Sequence, residues 1–219
     1  MGFCEQILVA QIEHQKIRCM HENITFRWHM AQAKTLTKTE LKRVVDVTNS
    51  CSRYAARDVT MLLLTHLCGL RIGEVANLRI HDVRDTDGTI RTEIRLDAER
   101  TKNNHARTIF VPKQMQRQLK TYLKTARKQS LHGFLFATQK SQQFSANTAT
   151  QHLQRLYARA AIQGATSHSG RRTWLTTLSQ KGVSVRVLAE MAGHRSIQTT
   201  QGYIDVNDDM MRNAAELIS

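Results

Sequence analysis

Proline is nearly absent from the 219 residues; Pro112 is the only one. Few rigid turns are coded, which fits a mainly helical chain. Cysteine is sparse as well. Cys4, Cys19, Cys51 and Cys68 lie far apart with no Cys-x-x-Cys pair. That argues against a zinc ribbon and a disulfide scaffold, and for a reduced, cytoplasmic setting. No apolar run approaches the roughly 18 residues that cross a bilayer, so no membrane partner is expected. The start, Met1-Gly2-Phe3-Cys4-Glu5-Gln6, lacks the basic and apolar regions of a secretory signal, and Gln6 stands where myristoylation needs Ser or Thr. Neither Gly-x-x-x-x-Gly-Lys nor Gly-x-Gly-x-x-Gly occurs, so no nucleotide cofactor is signalled. Acid is scarce in one long stretch: Arg100 to Arg195 holds 17 basic residues and a single acid, Glu190.

That stretch supplies the excess charge of a chain with a formal net charge of +14. A basic block inside a globular chain implies a polyanionic partner, most often nucleic acid. Apolar residues make up 41% and charged residues 23%, enough for a packed core. The length suits one large domain, or one domain with a short appendage.

Residues 3–33 carry Phe3, Ile7, Ala10 and Ile17 at roughly helical spacing. Thr37-Lys38-Thr39-Glu40 is a capping box opening a helix with Leu41, Val44 and Val45. Residues 53–68 are apolar nearly all round toward their end and stop at Gly69, which predicts a central buried helix. A short helix over Arg71 to Leu78 follows. The period then changes to two: Asp87-Gly88 signals a tight turn, and Ile90, Thr92, Ile94 and Leu96 alternate with charged residues as in a half-buried strand. Arg107 to Val111 is a second strand closed by Pro112. Helices are predicted over 113–128, 145–161 and 169–181, then from Ser184 to Gly193, from Ser196, and from Asn207 onward. The fold class is mainly α with a small antiparallel β-sheet of two or three strands (α+β).

Cutting and rejoining a DNA strand without metal or ATP requires a nucleophile that keeps the phosphodiester energy as a covalent ester. It requires fixed cations around the non-bridging oxygens and an acid for the leaving oxygen. Arginine suits the clamp because its planar fork meets two phosphate oxygens at once. The chain holds such a set. Arg71 and Glu74 are three apart just after the Gly69 break, and Lys102 lies in a basic loop between two strands. His168 and Arg171 share one side of a helix start, where backbone amides also favour an anion. His194 follows a glycine stop, and Tyr203 lies nine residues later.

Gly69-Leu70-Arg71-Ile72-Gly73-Glu74-Val75, Thr101-Lys102, Arg107-Thr108-Ile109-Phe110-Val111-Pro112, His168-Ser169-Gly170-Arg171, Gly193-His194 and Thr199-Thr200-Gln201-Gly202-Tyr203 occur in this order. Together they closely resemble the tyrosine recombinase (phage integrase) family over roughly residues 37–215. The resemblance implies the catalytic-domain fold of that family. It implies that Tyr203 attacks the scissile phosphate to form a 3′-phosphotyrosyl bond, that Arg71 and Arg171 clamp its oxygens, and that Lys102 protonates the leaving 5′ oxygen. His168 is implied as a phosphate ligand and general base, His194 as a further donor, and Glu74 as a support behind them. Arg107 and Arg172 are expected on DNA. No cofactor and no metal are implied. The expected partners are double-stranded DNA, a tetramer on paired sites, and accessory DNA-bending or directionality proteins.

Two departures stand out. Many relatives have Leu and His on either side of the second arginine, where this chain has Gly170 and Arg172; Gly170 costs about 1 kcal/mol of helix propensity. Only about 36 residues precede the capping box, so the chain resembles the short, single-domain members of the family. The expected division is an N-terminal helical extension (1–36), a catalytic domain (37–206) and a C-terminal helix (207–219) that is exchanged between protomers or folded back.

Taken singly, each residue has a plainer reading. Tyr122 and Tyr157 sit in helical apolar patterns, as does Trp174; Arg71 is an ordinary partner for Glu74; His168 and His194 could cap helices, and His66 and His105 could be structural. Val187 to Ile204 reads as a helix-turn-helix, so a non-enzymatic DNA-binding regulator is the rival function. It leaves Arg71, Lys102 and the His168/Arg171 pair unexplained. A metal-dependent nuclease needs paired carboxylates, which the basic block lacks. A topoisomerase-like relaxing activity uses the same nucleophile.

Overall fold

The computed structural model describes residues 33–98, 106–125, 130–204 and 208–216. All of these fall in one compact unit, 33–219. The helix expected within residues 3–33, Lys102 and the tip of its loop lie outside the described residues.

Thr37 caps α1 (Lys38–Cys51): its hydroxyl accepts from the Glu40 amide, and the Glu40 carboxylate reaches back to the Thr37 amide at 2.9 Å. Just before it, Leu36 is pinned by its amide to the Thr173 hydroxyl at 2.9 Å and buries its side chain. Next comes α2 (Ala55–Leu67), in which every residue from Asp58 to His66 is buried. An apolar surface all round leaves no face for solvent, so this helix becomes the axis of the molecule. It packs against α1, α3 (Ile72–Ala76), α5 (Lys113–Thr125) and α7 (Ser169–Gln180). Each fully buried Leu or Met along it (Met61, Leu62, Leu64) contributes about 1.5–3 kcal/mol.

The expected helix to Leu78 stops at Ala76 because Asn77 caps it, its side-chain amide donating to the Gly73 carbonyl at 3.0 Å. After α4 (Ile80–Val83) the chain turns tightly through Gly88 at φ +91°. The strand expected from Ile90 begins only at Glu93. Up to that point the chain is tied back to the end of α4, with Arg91 N donating to Val83 O at 2.9 Å. β1 (Glu93–Leu96) pairs antiparallel with β2 (Arg107–Phe110), Ile94 opposite Ile109 and Leu96 opposite Arg107. Ile94, Leu96 and Ile109 point into the core, as period-two alternation requires.

α6 (Ala146–Arg159) covers α1 and α3. Tyr122 and Tyr157 are interior residues: the Tyr122 hydroxyl donates to Leu135 O at 2.8 Å, and that of Tyr157 meets His66 Nε2 at 3.0 Å. A smaller apolar cluster of Trp174, Leu175, Leu188 and Ala192 joins α7 to α8 (Val185–Ala192). α9 (Ile197–Gln201) follows, then α10 (Asp208–Ala215). Among the described residues, no helix is long and apolar enough to cross a membrane.

Two glycines set how closely α2 and α7 approach. Gly69 ends α2 at φ +65°, and a Cβ there would lie 2.3 Å from the Trp174 ring. Gly170, in the first turn of α7, faces α2 so closely that a Cβ would lie 2.1 Å from the Thr65 hydroxyl and 2.9 Å from the His66 ring. This contact accounts for glycine at position 170. Gly170→Ala should therefore lower the melting temperature. The gain of about 1 kcal/mol in helix propensity is outweighed by overpacking of about 1–3 kcal/mol. A thermal melt followed by circular dichroism checks this; an unchanged or raised midpoint contradicts the close approach.

Candidate active site

Four separate stretches of chain converge on one cavity of about 230 Å³, lined by Arg71, His168, Arg171, His194, Arg195, Ser196, Thr199 and Tyr203. Arg71 caps α3, and His168 caps α7 with Arg171 three residues on. His194 follows the left-handed Gly193 that ends α8, and Tyr203 comes just after α9. Every one of these groups sits at or near a helix end, where a side chain can leave the packed body.

Arg171 is only 4% exposed, and both of its terminal nitrogens meet acceptors. Its Nη1 donates to Gly69 O at 2.6 Å and its Nη2 to Ala192 O at 2.5 Å, with His194 Nε2 3.0 Å from Nη2. Since guanidinium can only donate, His194 Nε2 accepts. The ring proton is then on Nδ1, donating to Thr200 Oγ1 at 2.8 Å. Burial, then the charges of Arg171, Arg71 and Arg107, pulls His194 down to about 4. Burial, then repulsion from Arg71 and Arg107, pulls Arg171 down to about 9. Both shifts have the sense expected where several cations are gathered in a water-poor place.

Tyr203 is half-buried. Its ring stacks on His194 with centroids 5.8 Å apart and planes 17° apart. The Arg172 guanidinium lies 5.7 Å from its centroid on a buried side chain, and Thr176 donates to its carbonyl at 3.1 Å. His168 is exposed, and its side chain makes no capping bond to α7.

Behind the cavity, Glu74 accepts four hydrogen bonds. Arg71 gives its amide at 2.7 Å and Nη1 at 3.0 Å, and Arg107 gives Nη1 at 2.8 Å and Nη2 at 2.7 Å. Burial alone would push this carboxyl up, but Arg107 first, then Arg71, hold it below the usual carboxylate range. Arg107, a residue expected on DNA, stands behind the cavity on Glu74. It is 7% exposed and spends its whole fork on Glu74, because the inward register of β2 turns it away from solvent. Sequence reasoning missed this role; the one available signal was that Arg107 shares the inward parity of Ile109. The stretch read as a helix-turn-helix forms α8 and α9, and its turn delivers His194. Among the described residues no group of three His, Cys, Asp or Glu side chains could hold a metal.

The family model described as "Phage integrase family" matches residues 34–210. The tyrosine recombinase XerA of Pyrococcus furiosus is 28% identical over 183 residues, covering 84% of this chain and 61% of that protein. Transposase A from transposon Tn554 of Staphylococcus aureus is 30% identical over 191 residues, covering 83% of this chain and 51% of that protein. The crystal structure of XerA recombinase superposes with a TM-score of 0.67 at 25% identity, covering 84% of this chain and 64% of that one. A XerH recombinase bound to its difH substrate shares the fold, with a TM-score of 0.65 at 21% identity over 83% of this chain and 51% of that one.

The folded protein favours neutral His194, whose pKa falls from 6.5 to about 4. The unfolded chain therefore takes up the proton first as pH drops, and the stability His194 contributes is complete above about 6.5 and lost on the way to about 4. An NMR titration of the DNA-free protein should place this imidazole well below 6.5, and binding of phosphate or DNA should raise it. An unperturbed midpoint contradicts the arrangement.

Proposed function

Because the chain belongs to the phage integrase family, we propose that it is a site-specific DNA recombinase that cuts and rejoins strands through a 3′-phosphotyrosyl intermediate. The observation that carries this reading is the convergence of Arg71, His168, Arg171, His194 and Tyr203 on one cavity from distant parts of a single chain. We assign residues 37–206 as the catalytic domain and the cytoplasm as its place of action, at the nucleoid in a bacterium.

A phosphodiester enters the cavity with its non-bridging oxygens between Arg71 and Arg171. Arg171 is already held at two carbonyls, so it costs little to order when the charge on phosphorus rises. The Tyr203 oxygen attacks in line; its bond to phosphorus forms as the bond to the 5′ oxygen breaks, and Lys102 gives that oxygen a proton. His168 takes up the tyrosine proton and hydrogen-bonds the phosphate. As the phosphate enters, His194 takes up a solvent proton on Nε2 and exchanges its acceptor bond with Arg171 for a donor bond to the phosphate, and the ring stack keeps the phenol beside it. The new ester conserves the energy of the broken bond. A free 5′ hydroxyl reverses the step or completes exchange, so neither ATP nor metal is consumed. Arg172 is assigned to the DNA side of Tyr203.

Exchange joins two duplexes, which calls for four protomers on paired sites, with DNA-bending or directionality proteins as further partners. The exposure of Met211 at 56% supports docking of α10 on a neighbouring copy.

A nicked suicide substrate tests the chemistry. Wild type should give a covalent protein–DNA adduct unaffected by EDTA, and Tyr203→Phe should give none while still binding DNA. An unchanged adduct in Tyr203→Phe refutes the assignment. Deleting residues 207–219 should weaken the synaptic complex on native gels and shift the melting temperature by only a few degrees; an intact synaptic complex contradicts docking between copies.

A further inference from the structure

Arg107 does not line the cavity, yet it is buried and bonded to the carboxylate that also holds Arg71. Glu74 has two carboxylate oxygens and two candidate arginines. Were Arg71 its sole partner, a fork-on-fork pair would form, the most favourable geometry for these groups. Arg71 would then be neutralised and both its terminal nitrogens consumed. Arg107 prevents this by donating from both terminal nitrogens, at 2.8 and 2.7 Å. Arg71 is left contributing its backbone amide and one side-chain nitrogen, and the rest of its guanidinium stays at the cavity. Two guanidiniums on one carboxylate leave the trio a net single positive charge.

The space for Arg107 is prepared. Gly193, at φ +63°, lies against it, and a Cβ there would sit 2.8 Å from Arg107 Cδ. The same glycine precedes His194, so a side chain at 193 would press on the arginine and on the turn that delivers the histidine. Arg107 Nε is buried with no hydrogen-bond partner among the described residues. That is a cost in stability, tolerated in a residue whose fork is fully engaged on Glu74.

We propose that Arg107 is a positioning residue for the phosphate clamp: it occupies Glu74 so that Arg71 keeps its charge and an open edge for the scissile phosphate. This rests on the strand-transfer reading above and adds to it a residue that never touches the DNA.

Arg107→Met removes the competitor and should let Glu74 close on Arg71. With the nicked substrate at saturation, adduct formation should slow by at least about tenfold, a partial form of the roughly hundred- to thousandfold cost of losing one transition-state donor outright. DNA affinity, spread over many phosphates, should change much less. In Glu74→Gln/Arg107→Met the excess carboxylate is gone, and most of the lost rate should return, to within about fivefold of wild type. A packing role for Arg107 predicts the reverse, a double variant no faster than the single one. Wild-type rates in Arg107→Met, or a double variant as slow as Arg107→Met, overturn the proposal. Should Arg107→Met fail to fold by circular dichroism, the double variant alone decides. Folded and within about fivefold of wild type it supports the proposal; slower by more than about tenfold it overturns it. A wild-type protein that forms no adduct through Tyr203 instead sinks the strand-transfer reading, which keeps the two failures apart.

Discussion

One guanidinium holds the centre together. Arg171 binds the Gly69 carbonyl, just past the end of α2, and the Ala192 carbonyl at the last residue of α8, and so holds three helix termini around itself. The Ala192 carbonyl belongs to the set that a helix leaves unpaired at its C-terminus. An arginine interior to the protein is costly unless every donor finds an acceptor, and two helix ends supply acceptors of the right polarity. The same contact places Gly69 beneath Trp174 and His194 beside Arg171, so packing and the reactive geometry are one arrangement.

Like charge is concentrated around that centre. Arg71 and Arg107 bond a single carboxylate, Glu74, with Arg171 close by and bonded elsewhere. Burial first, and then this mutual repulsion, lowers the proton affinity of Arg171 and His194. Under the strand-transfer reading, a phosphate would meet this surplus of fixed positive charge, the arrangement that electrostatic catalysis uses.

Much of this was legible in the sequence. The buried α2 followed from apolar residues on all sides, the α1 start from its capping box, and the end of α8 from Gly193. The two-stranded sheet followed from the change of period, and the family from motifs in order. Boundaries were blurred where backbone hydrogen bonds outside the pattern intervened, as at Arg91, or where a cap cut a helix short, as at Asn77. The bond of Arg107 to Glu74 is not legible locally, because a lone arginine in a basic block looks solvent-facing. Its true setting depends on β2 lying with its inner face against Glu74, a contact 33 residues away in sequence that no local pattern encodes. The place of Arg171 against two carbonyls was equally invisible, since only the mutual approach of α2, α7 and α8 creates it.

The tight seam between Gly170 and Thr65 has an evolutionary consequence. A bulkier residue at 170 can be accepted only after position 65 has shrunk or the two helices have drifted apart, and drift would carry Arg171 away from Gly69. Positions 65, 66 and 170 must therefore mutate in concert. Descendants of this chain should inherit them as a block, even though none of the three lines the cavity.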